Sequence, residues 1–279
     1  MKGRTSTRLM IFLGFGYAFL YIPIIILIVY SFNASKLVTV WGGFSTQWYG
    51  KLLEDQGILD AFWNSLQIAF FTACFATMLG TISGYVMARF GRFRGHSAFA
   101  STITAPLVMP EVITGLASLL LFVSLERAIG WPEGRGKLTI WIIHVVFATA
   151  FAAIIISSRL RDMDLSIEEA ALDLGAPPLK VFFVIVLPII APALLSSWLL
   201  SFTLSMDDLV ITSFVAGPGS TTLPMKVFSA ARLGVSPKIN AIGSIIVAGA
   251  SFFVLISALV SFKMEKKRKK EAEQAFEAA

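Results

Sequence analysis

Long apolar runs alternate with short polar segments along this chain. A helix needs about 20 apolar residues to cross the hydrocarbon core of a bilayer, which is about 30 Å thick. Six runs reach that length: 9–32, 64–88, 98–125, 138–158, 181–206 and 239–262. The pattern predicts an all-α integral membrane protein with six transmembrane helices, built as a single membrane domain over residues 1–279.

Two apolar segments have alternative interpretations. The first run follows Lys2, Arg4 and Arg8 like a secretory signal, but it is too long for one and lacks a small-x-small cleavage site, so we predict a retained helix. A weaker run from Leu209 to Met225 is interrupted at Gly217. It favours a loop that dips towards the membrane over a seventh span.

Composition points to the same class. Apolar residues make up 56% of the chain and charged residues 14%, whereas soluble domains are about a quarter charged. The single cysteine, Cys74, excludes an intrachain disulfide. The net charge of +6 comes from basic residues beside the apolar runs and in the tail 263–279. This distribution indicates orientation in a membrane and contact of the tail with anionic lipid, and it disfavours nucleic acid as a partner.

The distribution of basic residues predicts the orientation. With the N-terminus in the cytoplasm, the inner segments hold 15 of the 23 lysine and arginine residues. The positive-inside rule then predicts that both termini are cytoplasmic. Most of the tryptophans fall in or beside the outer segments, as expected for an interfacial belt: Trp41, Trp48, Trp63, Trp131 and Trp141.

The polar segment 159–180 carries signals for a short surface helix. Ser166 and Glu169 have the spacing of a capping box. Gly175 suits the left-handed position that ends a helix, and Pro177 and Pro178 suit the start of another. An apolar stripe is predicted from Leu165, Ala171, Leu172 and Leu174. From these residues alone, a docking helix and an ordinary connecting helix are about equally good interpretations.

The same segment carries a longer pattern, E-A-A-x3-G-x9-I-x-L-P. It resembles the signature loop of the membrane subunits of binding-protein-dependent ABC importers. The resemblance implies a type I ABC importer permease fold, in which this loop is a cytoplasmic coupling helix that docks onto an ATPase. The coupling residues implied are Ser166, Glu169, Ala170, Ala171, Gly175, Ile185, Leu187 and Pro188.

The resemblance also implies the rest of an assembly in a bacterial inner membrane. It includes a second permease subunit forming a heterodimer, two ATPase subunits and a periplasmic substrate-binding protein. The sequence has no G-x-x-x-x-G-K-[ST] phosphate loop. We therefore expect a transport subunit that is not an enzyme and holds no cofactor, with ATP bound by the partner ATPases.

Several further segments resemble the polyamine branch of this family. They include Tyr30-Ser31-Phe32-Asn33 and the stretch from Ser201 to Val210. Residues 36–41 and 106–110 resemble the putrescine system more than the spermidine system. The resemblance implies the second permease subunit of a putrescine importer, served by a polyamine-binding protein. Spermidine or another small cation is the alternative substrate.

Three carboxylates are candidates for a cation path: Glu111, Asp207 and Asp208. Glu111 lies in the third run, where a charge is costly and therefore suggests function. Asp207 and Asp208 close the fifth run, and carboxylates are good acceptors for ammonium groups. Alternatively, Glu111 pairs with the partner permease or is protonated, and the aspartates simply end a helix in water. We interpret His144 as a hydrogen-bonded packing residue.

Two other classes of protein are alternatives to a permease subunit. One is a proton-driven secondary transporter with Glu111 and His144 as the relay. The complete signature and the lack of an internal repeat disfavour it. The other is a membrane enzyme, which is disfavoured because the sequence shows no nucleophile–base set and no metal-ligand spacing.

The predicted orientation can be tested by cysteine labelling. In a background lacking Cys74, Gly43→Cys and Gly134→Cys should react with an impermeant thiol reagent in intact cells, because both lie in predicted outer loops. His96→Cys should react only after the cells are permeabilised. Labelling of His96→Cys alone in intact cells would invert the topology.

Overall fold

The computed structural model describes residues 7–37, 40–91, 93–233, 237–249, 251, 252 and 255. Over these residues the protein is helical, apart from connecting segments and one isolated antiparallel bridge between Asn33 and Phe44. This confirms the all-α class. The helices are α1 Thr7–Ser31, α2 Gln47–Leu53, α3 Gln56–Arg89, α4 His96–Val108, α5 Glu111–Ile129, α6 Lys137–Arg161, α7 Leu165–Asp173, α8 Pro178–Val181, α9 Leu187–Asp207, α10 Val210–Val215 and α11 Leu223–Leu233.

Within the described residues, five helical segments are long and apolar enough to cross a membrane. They are Leu9–Ser31, Gln56–Arg89, Glu111–Ile129, Lys137–Arg161 and Pro178–Asp207. The predicted sixth span, 239–262, is helical up to residue 249 and otherwise falls largely outside the described residues, as does the whole tail 263–279. The sixth span therefore stays a prediction.

The predicted third span, 98–125, is wrong in its bounds. The run is divided into α4, which ends at Val108, and α5, which begins at Glu111. Met109 and Pro110 between them are extended, with ψ angles of 133° and 135°. Proline disfavours helical geometry in the residue before it and lacks an amide donor, so the helix breaks here.

The chain divides into two compact units, Met1–Gln56 with Ser229–Ala279, and Gly57–Phe228. The single domain expected over residues 1–279 stays a prediction. In the first unit, buried Asn33 organises the loop after α1. Its side chain donates to the carbonyl of Val40 at 2.7 Å and accepts from the amide of Gly42 at 2.8 Å. The indole of Trp48 donates to the carbonyl of Asn33 at 2.6 Å.

In the second unit, α3 and α6 approach each other closely through small residues. A methyl group added at Gly80 would overlap the Cβ of Ala152. One added at Gly84 would lie 3.0 Å from the carbonyl oxygen of Ala153. Small residues allow such close backbone contact, which supplies the packing that holds membrane helices together.

The core of this second unit has two buried apolar clusters at opposite ends of α6. The cluster near the start of α6 consists of Ile68, Phe122, Ile140, Ile143, Ile211 and Val215. The cluster near its end, called the loop cluster below, consists of Ile156, Leu160, Met163, Ala171, Val181, Val186 and Ile190. The loop cluster includes a residue of α7, so the polar segment between two spans is packed into the core.

The α3–α6 contact makes a prediction about stability. Gly80→Ala should destabilise the protein by about 1–3 kcal/mol, because the added methyl group overpacks the contact with Ala152. Gly14→Ala, whose new methyl group would meet nothing within 4 Å, is the matched control and should be neutral or slightly stabilising. Thermal unfolding in detergent would measure both. Equal melting temperatures would contradict the close approach.

Candidate functional site

The start of α7 differs from the sequence prediction. Asp164 is the N-cap, and its side chain accepts the amide of Ser166 at 3.0 Å. That hydrogen bond lowers the pKa of Asp164. The predicted capping box of Ser166 and Glu169 is therefore wrong, because α7 begins at Leu165 and both residues lie inside it. A carboxylate at the positive end of a helix outcompetes a serine two residues further on.

The end of α7 has the turn predicted for Gly175. This residue has a φ of +82°. Its amide bonds to the carbonyl of Leu172 at 2.9 Å, and the amide of Ala176 bonds to the carbonyl of Ala171 at 3.1 Å. These two bonds form a Schellman motif, which needs a residue that tolerates the left-handed conformation. Pro178 then starts α8, also as predicted.

The α7 segment has an inward and an outward face. Glu168 and Ala171 are buried, and Ala171 belongs to the loop cluster. Glu169 and Ala170 are on the outward side, where Glu169 is exposed. Exposed apolar side chains lie beside these residues and in the following turn, and we call this set the docking face: Leu165, Ile167, Leu172, Leu174 and Leu179. The predicted apolar stripe is thus divided, because Ala171 packs inward while the leucines remain open to another surface.

The last part of the signature shapes the start of the following span. Residues Phe182–Val186 form a π-helical turn, in which the amide of Leu187 bonds to the carbonyl of Phe182 five residues back. Ile185 is half-buried against the loop cluster, and Pro188 lies in the first turn of α9. The Pro188 ring cannot sit against the carbonyl four residues before it, and a wider turn relieves that clash.

An ion pair behind α7 is not apparent from the sequence. Arg89, in the last turn of α3, places Nη2 at 2.7 Å and Nε at 2.8 Å from Glu168 Oε1. The two side chains are only 8% and 10% exposed. From its position in the chain, Arg89 is predicted only as an orientation signal. The sequence gives one hint that Glu168 faces inward: it lies three residues before Ala171, so the two residues share a face of α7.

Asp208 belongs to a buried polar cluster. Its carboxylate accepts from Thr212 through both the amide and the hydroxyl, at 2.7 and 2.6 Å, and lies 3.1 Å from His144 Nε2. The other ring nitrogen of His144 lies 2.8 Å from the Ser205 hydroxyl. This geometry agrees with the prediction that His144 is a hydrogen-bonded packing residue. The cluster ties α6 to the break between α9 and α10.

The other two candidate carboxylates are exposed. Asp207 is the last residue of α9, next to Asp208 in the chain but outside its polar cluster. Glu111 is the first residue of α5, where the helix dipole favours a negative charge. Each therefore lies at a helix break, the kind of position where transporters expose helix ends to substrate. Contact of Glu111, Asp207 or Asp208 with a substrate stays a prediction.

Residues 76–265 match the family model described as "Binding-protein-dependent transport system inner membrane component". The chain belongs to this family.

Two related permeases align with most of the chain. It is 58% identical over 272 residues to the putrescine transport system permease protein PotI of Escherichia coli K12, a match that covers 98% of this chain and 96% of PotI. It is 38% identical over 245 residues to the spermidine/putrescine permease PotC of the same organism, covering 88% and 90%. These two alignments also include residues before position 76, where the match to the family model begins.

Solved structures show the same fold. A bacterial ABC transporter that imports the acidic polysaccharide alginate has a chain that matches with a TM-score of 0.67 at 20% identity, covering 90% of this chain and 93% of that one. A structure of the alginate transporter with a pentasaccharide-bound periplasmic protein gives 0.70 at 14% identity, covering 90% and 91%. The ABC importer permease fold predicted from the signature is thereby confirmed.

The two neighbouring aspartates should differ in their effects on stability. Asp208→Asn should lower stability by about 1–3 kcal/mol, because the amide cannot accept all the hydrogen bonds that the buried carboxylate accepts. Asp207→Asn, the matched exposed control, should change stability by less than about 0.5 kcal/mol. Thermal unfolding of the purified complex would measure both. A larger loss for Asp207→Asn would contradict the structural role of Asp208.

Proposed function

We propose that this chain is the membrane permease subunit of an ATP-driven polyamine importer whose substrate is putrescine. One observation carries the proposal: identity to PotI is 58% over 98% of the chain, against 38% over 88% for PotC. A difference of this size over nearly the whole length favours the putrescine system. Spermidine transport by the same mechanism is the second candidate, and the PotC likeness supports it.

The proposed assembly surrounds this chain with several partners. A second permease completes the translocation path as a heterodimer, two ATPase subunits bind ATP on the cytoplasmic side, and a periplasmic polyamine-binding protein delivers the substrate. Lipid of the bacterial inner membrane surrounds the permeases, and both termini are cytoplasmic. The related transporter solved with its periplasmic protein supports the binding-protein partner.

The docking face of α7 supports coupling to an ATPase. Its exposed leucines and Glu169 give another protein both apolar surface and a charge to recognise. Behind them, Ala171 is packed into the loop cluster with residues of α6, α8 and α9. Closure of the ATPases would therefore displace α7 together with these spans, as in rigid-body alternating access.

The cation path is proposed at the helix breaks. Glu111 and Asp207 are exposed and can replace part of the hydration shell of an ammonium group. The carboxylate of Asp208 is already engaged by Thr212 and His144, so it contributes mainly by fixing the backbone beside Asp207. The two aspartates, which are equivalent in the sequence, therefore have different roles.

The decisive experiment is uptake into vesicles that contain the whole complex. We expect putrescine uptake that requires ATP on the cytoplasmic side and the binding protein on the periplasmic side, with weaker competition by spermidine. Uptake driven by a proton gradient without the ATPase would instead support the secondary transporter. Preferred uptake of spermidine would reassign the substrate and leave the mechanism intact.

The same vesicles test the cation path. Asp207→Asn and Glu111→Gln should each reduce putrescine uptake about tenfold or more, since each removes one charge-assisted hydrogen bond. Binding-protein docking and basal ATP hydrolysis should persist. Parental uptake by both variants would show that these carboxylates are structural.

The turn at Gly175 tests coupling. Gly175→Val should insert into the membrane normally but lose substrate-stimulated ATP hydrolysis, because a β-branched residue cannot adopt a φ of +82° without strain and α7 would be presented differently. Gly175→Asn is the matched control, since asparagine tolerates this conformation. Full transport by Gly175→Val would contradict the proposed coupling loop.

Glu169→Ala should keep α7 folded, because Glu169 is not its cap, and weaken only ATPase docking.

A further inference from the structure

We propose that α3 is a rod that connects the coupling helix α7 to the loop 217–223 at the opposite end of the same unit. This role rests on the proposed function. In this role α3 carries displacements between the cytoplasmic side, where the ATPases bind, and the periplasmic side, where the binding protein docks. Arg89 and Asn64 are the positioning residues at the two ends of the rod.

The first clamp is the ion pair between Arg89 and Glu168. Two guanidinium nitrogens reach the same carboxylate oxygen, and Nη2 also lies 3.5 Å from the carbonyl of Met163, just before the α7 cap. Neither side chain is more than a tenth exposed. Removing one partner of a buried pair leaves an uncompensated charge, so the pair separates only at high cost. The end of α3 therefore follows α7 when α7 moves.

Chain connectivity does not provide this link. The coupling helix follows α6 after three residues, 162–164, and leads through α8 into α9. The α3 helix is distant in sequence, since Arg89 and Glu168 are 79 residues apart. The ring of Tyr85, one turn before Arg89, also packs edge-on against Phe182 of the π turn at 5.2 Å. The end of α3 thus holds both the coupling helix and the start of the following span.

The second clamp lies at the other end of α3. The Asn64 side chain donates to the carbonyls of Gly219 and Thr221, at 3.1 and 3.0 Å. The hydroxyl of Ser65 accepts the amide of Leu223 at 2.8 Å. Asn64 and Ser65 are both buried. These bonds fix the backbone of the loop that follows α10.

The helix between the clamps is suited to transmit a displacement. From Ser65 to Arg89 the rise is about 36 Å at about 1.5 Å per residue, which is enough to cross the hydrocarbon core. Gly80 and Gly84 let the backbone of α3 pack closely against α6, which supports α3 against bending along its length. A shift of α7 at one end is then delivered to the loop 217–223 at the other, and a shift of the loop is delivered to α7.

The test uses the complete complex with its binding protein and measures basal and polyamine-stimulated ATP hydrolysis. Arg89→Gln and Asn64→Ala should each reduce the stimulation about tenfold while the basal rate and co-purification of the ATPase stay within about twofold. Arg89→Lys keeps the charge and should restore part of the stimulation. Arg161→Gln, at an exposed arginine in the last turn of α6, is the matched control and should keep full stimulation.

The double variant separates a rod from two structural defects. If both clamps act in series through α3, Arg89→Gln with Asn64→Ala should lose no more stimulation than either change alone, because either change already removes the contribution of this path. Multiplying losses would mean independent effects and would overturn the proposal. So would full stimulation in either single variant, or a loss in Arg89→Lys as complete as that in Arg89→Gln. If the parental complex shows no stimulation at all, the proposed function itself fails.

Discussion

The buried attachment of α7 is the constraint on which the proposed coupling depends. A short helix of nine residues is marginal by itself, and this one lies at the polar ends of apolar spans. It is held by two different means, the packing of Ala171 in the loop cluster and the ion pair of Glu168 with Arg89. Because the inward face is fixed in this way, the outward face can present leucines and Glu169 to a partner without collapsing onto its own spans.

The helix breaks also depend on polar groups that are held within the protein. Backbone groups inside a bilayer must be satisfied within the protein, so a break is tolerated only where side chains replace the lost bonds or where it lines a cavity. At the break after α9, Asp208 accepts two bonds from Thr212, and His144 holds it from α6. At the break before α5, Glu111 lies at the positive end of the helix. At the break after α9, structural support from Asp208 and the exposed charge of Asp207 therefore lie side by side.

Predictions that depend only on neighbouring residues are confirmed for most of the apolar runs, whereas the predictions in which two local signals compete are wrong. These runs and the turn at Gly175 are local properties, so the amino-acid sequence is enough to find them. The third run is wrong in its bounds because Pro110 divides it into two helices. The predicted capping box is wrong because Asp164 precedes Ser166 and its carboxylate caps the helix, which leaves Ser166 inside α7.

The fold class, the signature loop, the family resemblance and the position of most spans could be obtained from the amino-acid order, because run length and motif spacing are properties of neighbouring residues. The pairs of polar and charged residues that come together could not be obtained in this way. Arg89 pairs with Glu168 across 79 residues, and His144 reaches Asp208 across 64. Helical periodicity assigns a residue to a face of its own helix, but it does not say which helix lies opposite. That choice is made in three dimensions by the packing of small residues such as Gly80 and Gly84, which brings distant spans into contact.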